Sequence, residues 1–265
     1  MGVAAASCSL SSLTAVFHAC AEHKYDMFAH VAKESDSRRT AATMLSCNID
    51  AAVVLNDHLR DEDITMLAER GLPLVFMDRK VCFKGVSSVV LDNEQGVLRE
   101  VEYLRHTGHK RIACLRGRDN YDGESRFAAF VQGMAAAGLK VDDALVMNGL
   151  FDPKVAYNCI HMLYASDAPR PDAILCANDE MAFGCLEALR DLHYAVPQDV
   201  SVLGFDNLNA ETSTPPLTTV SYSMSGFARM AVGEIMRLIE QPQSPGRLMT
   251  LPTEIIIRDT VGFRC

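Results

Sequence analysis

The segment Pro171–Asp206 constrains the fold most strongly, because it places a helix between two apolar strands. Ala173–Cys176 is a short uncharged apolar run, which is typical of a strand buried on both faces. Apolar side chains then recur at helical spacing from Met181 to Leu192. Val200–Phe205 is a second apolar run. The segment therefore predicts a βαβ unit with parallel strands and a right-handed crossover.

The rest of the chain repeats this alternation, with about nine predicted strands and about eight predicted helices. Strict alternation indicates an α/β fold with parallel sheets covered by helices on both faces. One nine-stranded sheet is an alternative, but the polar loop Gly117–Gly123 favours two lobes, each a doubly wound parallel sheet. We predict three inter-lobe crossings, and lobes formed by residues 1–117 plus 222–244 and by residues 118–221 plus 245–265.

Composition limits the classes of function. The net charge is −9 and the isoelectric point about 5.3, so this chain alone should bind phosphate backbones poorly. No apolar run of 18 residues occurs, which argues against a membrane protein. The nine cysteines lack a CxxC pair, which favours reduced thiols in the cytoplasm. Met1–Cys20 lacks a basic segment and a clear cleavage site, so we do not expect a signal peptide.

Polar side chains follow several predicted buried strands, at the edge where open α/β sheets bind ligands. Asp and Asn side chains supply acceptors and donors for a polyhydroxylated or planar polar ligand, and an arginine adds a fork of donors. The candidates are Asp78, Arg116, Asn178, Asp179 and Asp206 at strand ends, Arg126 in the helix after the polar loop, and Phe205 beside Asp206.

Each candidate also has a purely structural interpretation. Asn178 is suited to cap the following helix, and Asp206 to end its strand. Arg126 has Asp122 and Glu124 nearby as surface ion-pair partners. Phe205 has the character of a core residue. Asp78 and Arg116 have the same structural alternatives.

Enzyme and metal motifs are absent from the sequence. It contains no G-x-S-x-G elbow, phosphate-binding loop, H-E-x-x-H or G-x-G-x-x-G, and no Cys/His cluster with metal-ligand spacing. Asp179 and Asp206 share a sheet edge and form a conceivable acid–base pair, but nothing in the sequence separates their pKa values. We therefore predict a protein that is not an enzyme and needs no cofactor.

Four motifs resemble the effector-binding core of the LacI/GalR family of bacterial transcription regulators. They are TGHKRIACLRG at Thr107–Gly117, ANDEMAFGCLEAL at 177–189, VPQDVSVLGFDN at 196–207 and PPLTTV at Pro215–Val220. Their order and spacing match the family over roughly Tyr25–Thr260. The resemblance implies a two-lobed, periplasmic-binding-protein-like fold.

The resemblance also implies roles for individual residues. Arg126 lies in the family's R-x-x-G-aromatic pattern, with Ala129 in place of the glycine, and is expected to grip the effector. Asn178 is expected to face the effector, and Asp206 to bind its hydroxyl groups. Phe205 and Asp78 complete the predicted effector-binding set.

The function implied by the resemblance is ligand-sensing control of transcription. A small effector, a sugar or sugar derivative in first place and a nucleobase in second, would bind in a cleft between the lobes of a homodimer in the cytoplasm. DNA binding would require an N-terminal helix-turn-helix, which this sequence lacks. Met1–Leu13 also departs from the family's opening strand, so one wall of the pocket is not predicted. A periplasmic-type sugar-binding protein for transport is the alternative.

Overall fold

The computed structural model describes residues 2–4, 10–30, 36–55, 59–242 and 244–264. The chain divides into two compact α/β units, one formed by Met1–Leu91 with Ser223–Leu251 and the other by Asp92–Tyr222 with Pro252–Cys265. It therefore passes between the units three times, as predicted.

Strands and helices alternate along the chain. The strands are β1 Gly2–Ala4, β2 Phe28–His30, β3 Ala52–Val54, β4 Leu74–Met77, β5 Val86–Leu91, β6 Ile112–Arg116, β7 Val146–Asn148, β8 Ala173–Cys176, β9 Ser201–Phe205, β10 Thr218–Ser221, β11 Leu248–Leu251 and β12 Glu254–Ile256. The α-helices are α1 Leu10–Glu22, α2 Ser37–Ser46, α3 Asp61–Glu69, α4 Asn93–His106, α5 Tyr121–Ala136, α6 Pro153–Ala165, α7 Asp179–Asp191 and α8 Met224–Glu240.

The first unit is built on a parallel sheet of order β11-β5-β4-β3-β1-β2. Helix α8 packs against β3, β4, β5 and α1, while α2 and α3 pack against each other. The side chains of β3 and β4 are buried, which explains their uninterrupted apolar sequences.

The second unit is built on a sheet of order β12-β10-β9-β8-β6-β7, parallel except for β12, which runs antiparallel to β10. Helices α4 and α5 pack together, as do α6 and α7. The βαβ unit predicted at Pro171–Asp206 forms β8, α7 and β9. Side-chain caps start its helices, because Asp92, Asn120, Asp152 and Asn178 each accept a backbone N–H of the first turn.

The predicted lobe boundaries need correction. Gly117–Gly123 is not a crossing, because β6 already belongs to the second sheet and the loop leads into α5 of the same unit. The chain instead changes unit between Leu91 and Asp92, where β5 is followed directly by the cap of α4. At the other end, β11 was not predicted as a strand, and it pairs with β5 in the first sheet, so residues 245–251 do not belong to the second unit.

Among the described residues, no helix combines the length and apolar content needed to cross a membrane. The seven cysteines within the described part of the chain are free thiols.

The TGH sequence of the first motif anchors the C-terminal segment of the second unit. His109 is 1% exposed, with Nε2 2.8 Å from Ser201 Oγ and Nδ1 2.9 Å from Thr107 Oγ1. The Arg264 backbone N–H donates to the Thr107 carbonyl oxygen at 2.7 Å. Gly108 has φ +90°, and a Cβ there would collide with the Arg264 backbone. Burial lowers the pKa of His109 below its ordinary value.

We expect His109→Ala to destabilise the protein by about 2 kcal/mol, because it leaves buried polar groups without a partner. An unfolded histidine takes up a proton below pH about 6.5, whereas buried His109 resists it. The stabilisation from neutral His109 is therefore present above that pH and lost as the pH falls through the lower folded pKa. Thermal unfolding between pH 5 and 8 measures both effects. His106→Ala, at the exposed C-terminal end of α4, is the control; equal melting temperatures for the two variants would contradict the anchor.

Candidate functional site

The predicted site residues of the second unit converge at one sheet edge. Strands β6, β8 and β9 are neighbours, and their carboxyl ends carry Arg116, Asn178 with Asp179, and Asp206. Helix α5 brings Arg126 to the same edge, where its Nη1 lies 3.7 Å from Asp206 Oδ1.

Arg126 is buried, with 5% of the residue exposed, and is held from several directions. Its Nε donates to Asn93 Oδ1 at 2.8 Å, and its Nη1 donates to the Ala177 carbonyl oxygen at 2.6 Å. Its Nη2 lies 3.9 Å from Asp122 Oδ1, whereas Glu124 pairs with Arg116 instead. The pairing with Asp122 considered from sequence is therefore present, but it is buried rather than on the surface, and the guanidinium is fixed in one orientation.

The Phe205 ring packs against the Arg126 guanidinium. The guanidinium carbon lies 3.7 Å from the Phe205 ring centroid, a close cation–π contact. A Cβ on Gly96 of α4 would lie 2.8 Å from the Phe205 ring, so the helix backbone touches the ring. Phe205 is 0% exposed, so its ring is a core group that positions the arginine, and its effector contact stays a prediction.

Asp206 adopts an unusual backbone conformation at the end of β9. Its φ is +117°, a region that non-glycine residues rarely occupy and that is often found at functional sites. The backbone N–H donates to the Val220 carbonyl oxygen at 2.8 Å, and 27% of the side chain is exposed. Burial among protein groups raises the pKa of Asp206 to about 6, and the positive charge of Arg126 opposes this rise.

Asn178 caps α7, which is the structural role considered for it from the sequence. Its Oδ1 accepts the Met181 N–H at 3.0 Å, and the cap leaves the two donors of the side-chain Nδ2 uninvolved. Asp179 is 1% exposed and accepts from Thr219 Oγ1 at 2.6 Å and from the Leu208 N–H at 2.7 Å. Burial raises the pKa of Asp179 to about 7. Asp179 therefore connects the start of α7 to β10 and to the loop after β9. The sequence did not indicate this structural role.

Asp78 and Arg116 are the two remaining predicted residues. Asp78 follows β4 in the first unit, with φ +61°, and its effector contact stays a prediction. Arg116 is in the second unit, but its guanidinium stacks 4.1 Å from the Phe127 ring centroid and pairs with Glu124 at 2.8 Å.

Three further residues of the site were not found from sequence. Asn93 bridges α4 to α5, since its Nδ2 donates to Asp122 Oδ1 at 2.7 Å and to Ser125 Oγ at 2.9 Å. Phe151, in the loop after β7, lies with its ring centroid 5.9 Å from the Arg126 guanidinium carbon. An aromatic residue after a strand end was a usable signal for Phe151; nothing in the pattern distinguished Asn93.

Glu100 is the third of these residues. A charged residue within the apolar stripe of α4 was the sequence feature that could have indicated it. It occupies the apolar stripe of α4 between Val97 and Val101 and is 0% exposed. Neither of its carboxyl oxygens has a hydrogen-bond partner among the described residues. Burial raises the pKa of Glu100 well above its ordinary value, although Arg126 opposes the shift. Burial therefore favours the neutral form of Glu100.

The arrangement combines fixed donors with acceptors at one edge, which suits binding of a polar molecule by hydrogen bonds. In the described part of the chain, no group of three or more His, Cys, Asp or Glu side chains is placed to hold a metal ion.

We expect Gly204→Ala to destabilise the protein by roughly 1–3 kcal/mol, because the new Cβ would lie 2.3 Å from Asp179 Oδ1 and 3.0 Å from Leu217 Cδ2. Urea unfolding monitored by circular dichroism measures the loss. Gly233→Ala in α8 is the control, since no heavy atom of the described residues lies within 4 Å of its Cβ position; it should be neutral or stabilising by up to about 1 kcal/mol. Equal midpoints for the two variants would refute the close packing.

We expect Asp206→Asn to stabilise the ligand-free protein at pH 8 by an amount on the order of 1–2 kcal/mol. Folded Asp206 keeps its proton up to pH about 6, whereas an unfolded aspartate loses it near 3.8, so its contribution to stability falls as the pH rises between these values. Melting temperatures from pH 4 to 8 should therefore fall less steeply in the variant. Exposed Asp167→Asn is the control. A variant less stable than wild type at pH 8 would show that the ionised form is favoured.

The chain is similar to several known proteins. A family described as "Periplasmic binding protein-like domain" matches residues 101–261. The HTH-type transcriptional repressor PurR of Pasteurella multocida is 30% identical over 224 residues, which are 83% of this chain and 67% of the relative. PurR of Vibrio cholerae is 32% identical over 216 residues, 80% of this chain and 64% of the relative. The chain thus spans about two thirds of the length of these repressors.

Solved structures show the same fold. A transcriptional regulator, CelR, in complex with cellobiose superimposes with a TM-score of 0.87 and 26% identity, covering 98% of this chain and 84% of the other. A LacI transcriptional regulator from a Rhodococcus species gives a TM-score of 0.88 at 24% identity, covering 99% and 98%. With the family match extending over more than half of the chain, we conclude that this chain belongs to the LacI/GalR family of transcriptional regulators and carries its effector-binding domain.

Proposed function

We propose that the chain senses a small polar effector, a sugar or sugar derivative, through Arg126, Asn178 and Asp206. Binding of this effector would control DNA binding by an N-terminal helix-turn-helix of the intact regulator. The single observation that carries the proposal is the buried Arg126 guanidinium, fixed by Asn93 and the Ala177 carbonyl and facing Asp206 across 3.7 Å.

The roles of the three residues follow from their chemistry. Arg126 presents donors in a rigid plane, and Asp206 presents acceptor oxygens on a strained turn. Asn178 adds the donors of its side-chain nitrogen. A sugar hydroxyl needs both a donor and an acceptor once water is displaced, and this constellation supplies both.

Two effector classes fit these groups. The relative CelR was solved with cellobiose, which favours a sugar. A nucleobase is the second candidate, because the partly buried ring of Phe151 near Arg126 offers a stacking surface for a planar polar ring.

The other partners are proposed by analogy with the relatives, which are named as HTH-type transcriptional repressors. We propose a homodimer that acts on DNA in the cytoplasm. The free thiols of the described cysteines fit that location better than the transport alternative, which would require an exported protein.

The proposal predicts a thermal shift with one class of compound. The melting temperature should be measured against sugars, sugar phosphates, nucleosides and purine bases. A ligand at one hundred times its Kd adds about 2.7 kcal/mol to the free energy of unfolding, which is easily detected. We expect Arg126→Ala and Asp206→Ala to abolish the shift, because each removes a group that bonds the ligand.

Arg190→Ala, which removes an exposed arginine side chain from α7, is the control and should keep the shift. A shift that survives both site substitutions would place the effector elsewhere. A folded protein that responds to no compound in the panel would contradict the sensing function.

A further inference from the structure

The three links between the units are joined to the second unit around one glycine of α4. The links are Leu91–Asp92, Tyr222–Ser223 and Leu251–Pro252. A Cβ placed on Gly96 would lie 3.1 Å from Val220 Cγ1 and 3.1 Å from Thr253 Oγ1. Gly96 follows the first link, Val220 precedes the second and Thr253 follows the third. The segments that lead to all three links therefore meet at Gly96.

Thr253 bonds the first link to the third. Its Oγ1 donates to the Asp92 carbonyl oxygen at 3.0 Å, and the residue is 5% exposed. The Arg99 guanidinium donates to the Thr253 carbonyl oxygen. Asp92 is the first residue after one link, and Thr253 is the second residue after another. Their hydrogen bond therefore fixes where the chain enters the second unit at both links.

Arg126 contacts the same meeting point through two of its partners. Its Nε donates to Asn93 Oδ1 at 2.8 Å, and Asn93 directly follows Asp92. Its guanidinium carbon lies 3.7 Å from the Phe205 ring centroid, and a Cβ on Gly96 would lie 2.8 Å from that ring. Side chains in a close-packed interior transmit displacements, because they have little free space to absorb them. A change at Arg126 therefore acts on the residues beside the links.

The second link is reached through β10. Val220 is paired with Phe205 in the sheet, and its carbonyl oxygen accepts the Asp206 N–H at 2.8 Å. Val220 is 0% exposed and lies two residues before Tyr222. The aspartate that faces Arg126 is thus bonded to the strand that leads into the second link.

We propose, on the basis of the proposed function, that Thr253 is a positioning residue that couples the orientation of Arg126 to the links between the units. An effector bonded by Arg126 changes the forces on its guanidinium. Asn93 and Phe205 pass that change to α4, and the hydrogen bond of Thr253 passes it from α4 to the third link. Thr253 acts through these residues and needs no contact with the effector.

Exchange of a side-chain proton of Arg126 tests the coupling. Nitrogen-15 NMR of the full chain follows exchange of the Arg126 Nε–H with solvent, and Arg126→Lys assigns the signal by removing it. Thr253→Val removes the hydroxyl at nearly constant volume. We expect it to accelerate the exchange by about threefold or more, the factor by which one hydrogen bond of ordinary net strength changes an opening equilibrium. Thr253→Ser, which retains the hydroxyl, should restore the wild-type rate.

Thr260→Val is the matched control. Thr260 is 0% exposed, and its Oγ1 accepts the Thr218 N–H at 2.9 Å. Its carbonyl oxygen accepts the Val202 N–H, so Thr260 lies near the amino ends of β9 and β10, at the edge of the sheet opposite Arg126. We expect this substitution to lower the melting temperature and to leave the exchange rate of the Arg126 Nε–H unchanged.

The reverse measurement uses Arg126→Gln, because coupling between two sites is reciprocal. Hydrogen exchange followed by mass spectrometry should be about threefold or more faster in the peptides beside the links, which cover residues 92–99, 218–222 and 252–256. A peptide from α6 should exchange at the wild-type rate. Arg116→Gln removes an arginine of the same edge that pairs with Glu124, and it should leave all of these peptides unchanged.

The outcomes separate the two proposals. An exchange rate of the Arg126 Nε–H that Thr253→Val leaves unchanged overturns the coupling. Equal acceleration by Thr253→Val and Thr260→Val also overturns it, because a general loss of stability would then explain both, and so does equal acceleration of the α6 and link peptides in Arg126→Gln. None of these measurements uses an effector. Failure of every compound in the thermal panel would therefore overturn the sensing function and leave the result for Thr253 readable.

Discussion

Burying a guanidinium is costly unless its donors are bonded and its charge is countered, and the second unit is arranged around meeting that requirement for Arg126. Asn93 and the Ala177 carbonyl take two of its donors, Asp206 and Asp122 supply negative charge, and Phe205 supports its plane. These partners come from α4, α5 and the ends of β8 and β9. The orientation of one side chain thereby fixes where several elements meet, and it gives the sheet edge a rigid set of donors.

The G-F-D sequence at the end of β9 serves this arrangement in three different ways. Gly204 leaves room for the Asp179 carboxylate, Phe205 carries Arg126, and Asp206 faces it from a backbone with φ +117°. Asp179 in turn accepts from Thr219 in the PLTTV sequence. Motifs that are far apart in the sequence are therefore parts of one hydrogen-bonded edge, in which most members position the few that face a ligand.

The sequence was sufficient to predict what depends on local pattern. The β8-α7-β9 unit follows from apolar runs and helical spacing, and Arg126, Asn178 and Asp206 follow from strand ends and motif resemblance. The unit boundary at Leu91 could not be predicted, because β5 runs into the cap of α4 without any change of composition. The burial of Phe205 could not be predicted either, because its position beside Asp206 says nothing about which face of the sheet its ring occupies. Asn93 depends on a contact with a residue 33 positions away, which no local pattern encodes.

The same site shows why function and stability diverge in this unit. A stable core would contain no acid without a partner, yet Glu100 is fully buried without a hydrogen-bond partner in the described structure, and burial raises the pKa of both Asp179 and Asp206. Raised pKa values mean that the folded state disfavours these charges, so the acids reduce stability near neutral pH.

His109, by contrast, has hydrogen-bond partners at both ring nitrogens and anchors the C-terminal segment. Both kinds of residue sit in or beside motifs shared with the family, so resemblance alone does not distinguish a ligand contact from an anchor. The distinction lies in the surroundings: a group whose bonding is complete holds the fold, whereas an acid kept ionisable at a sheet edge retains the capacity to bind something else.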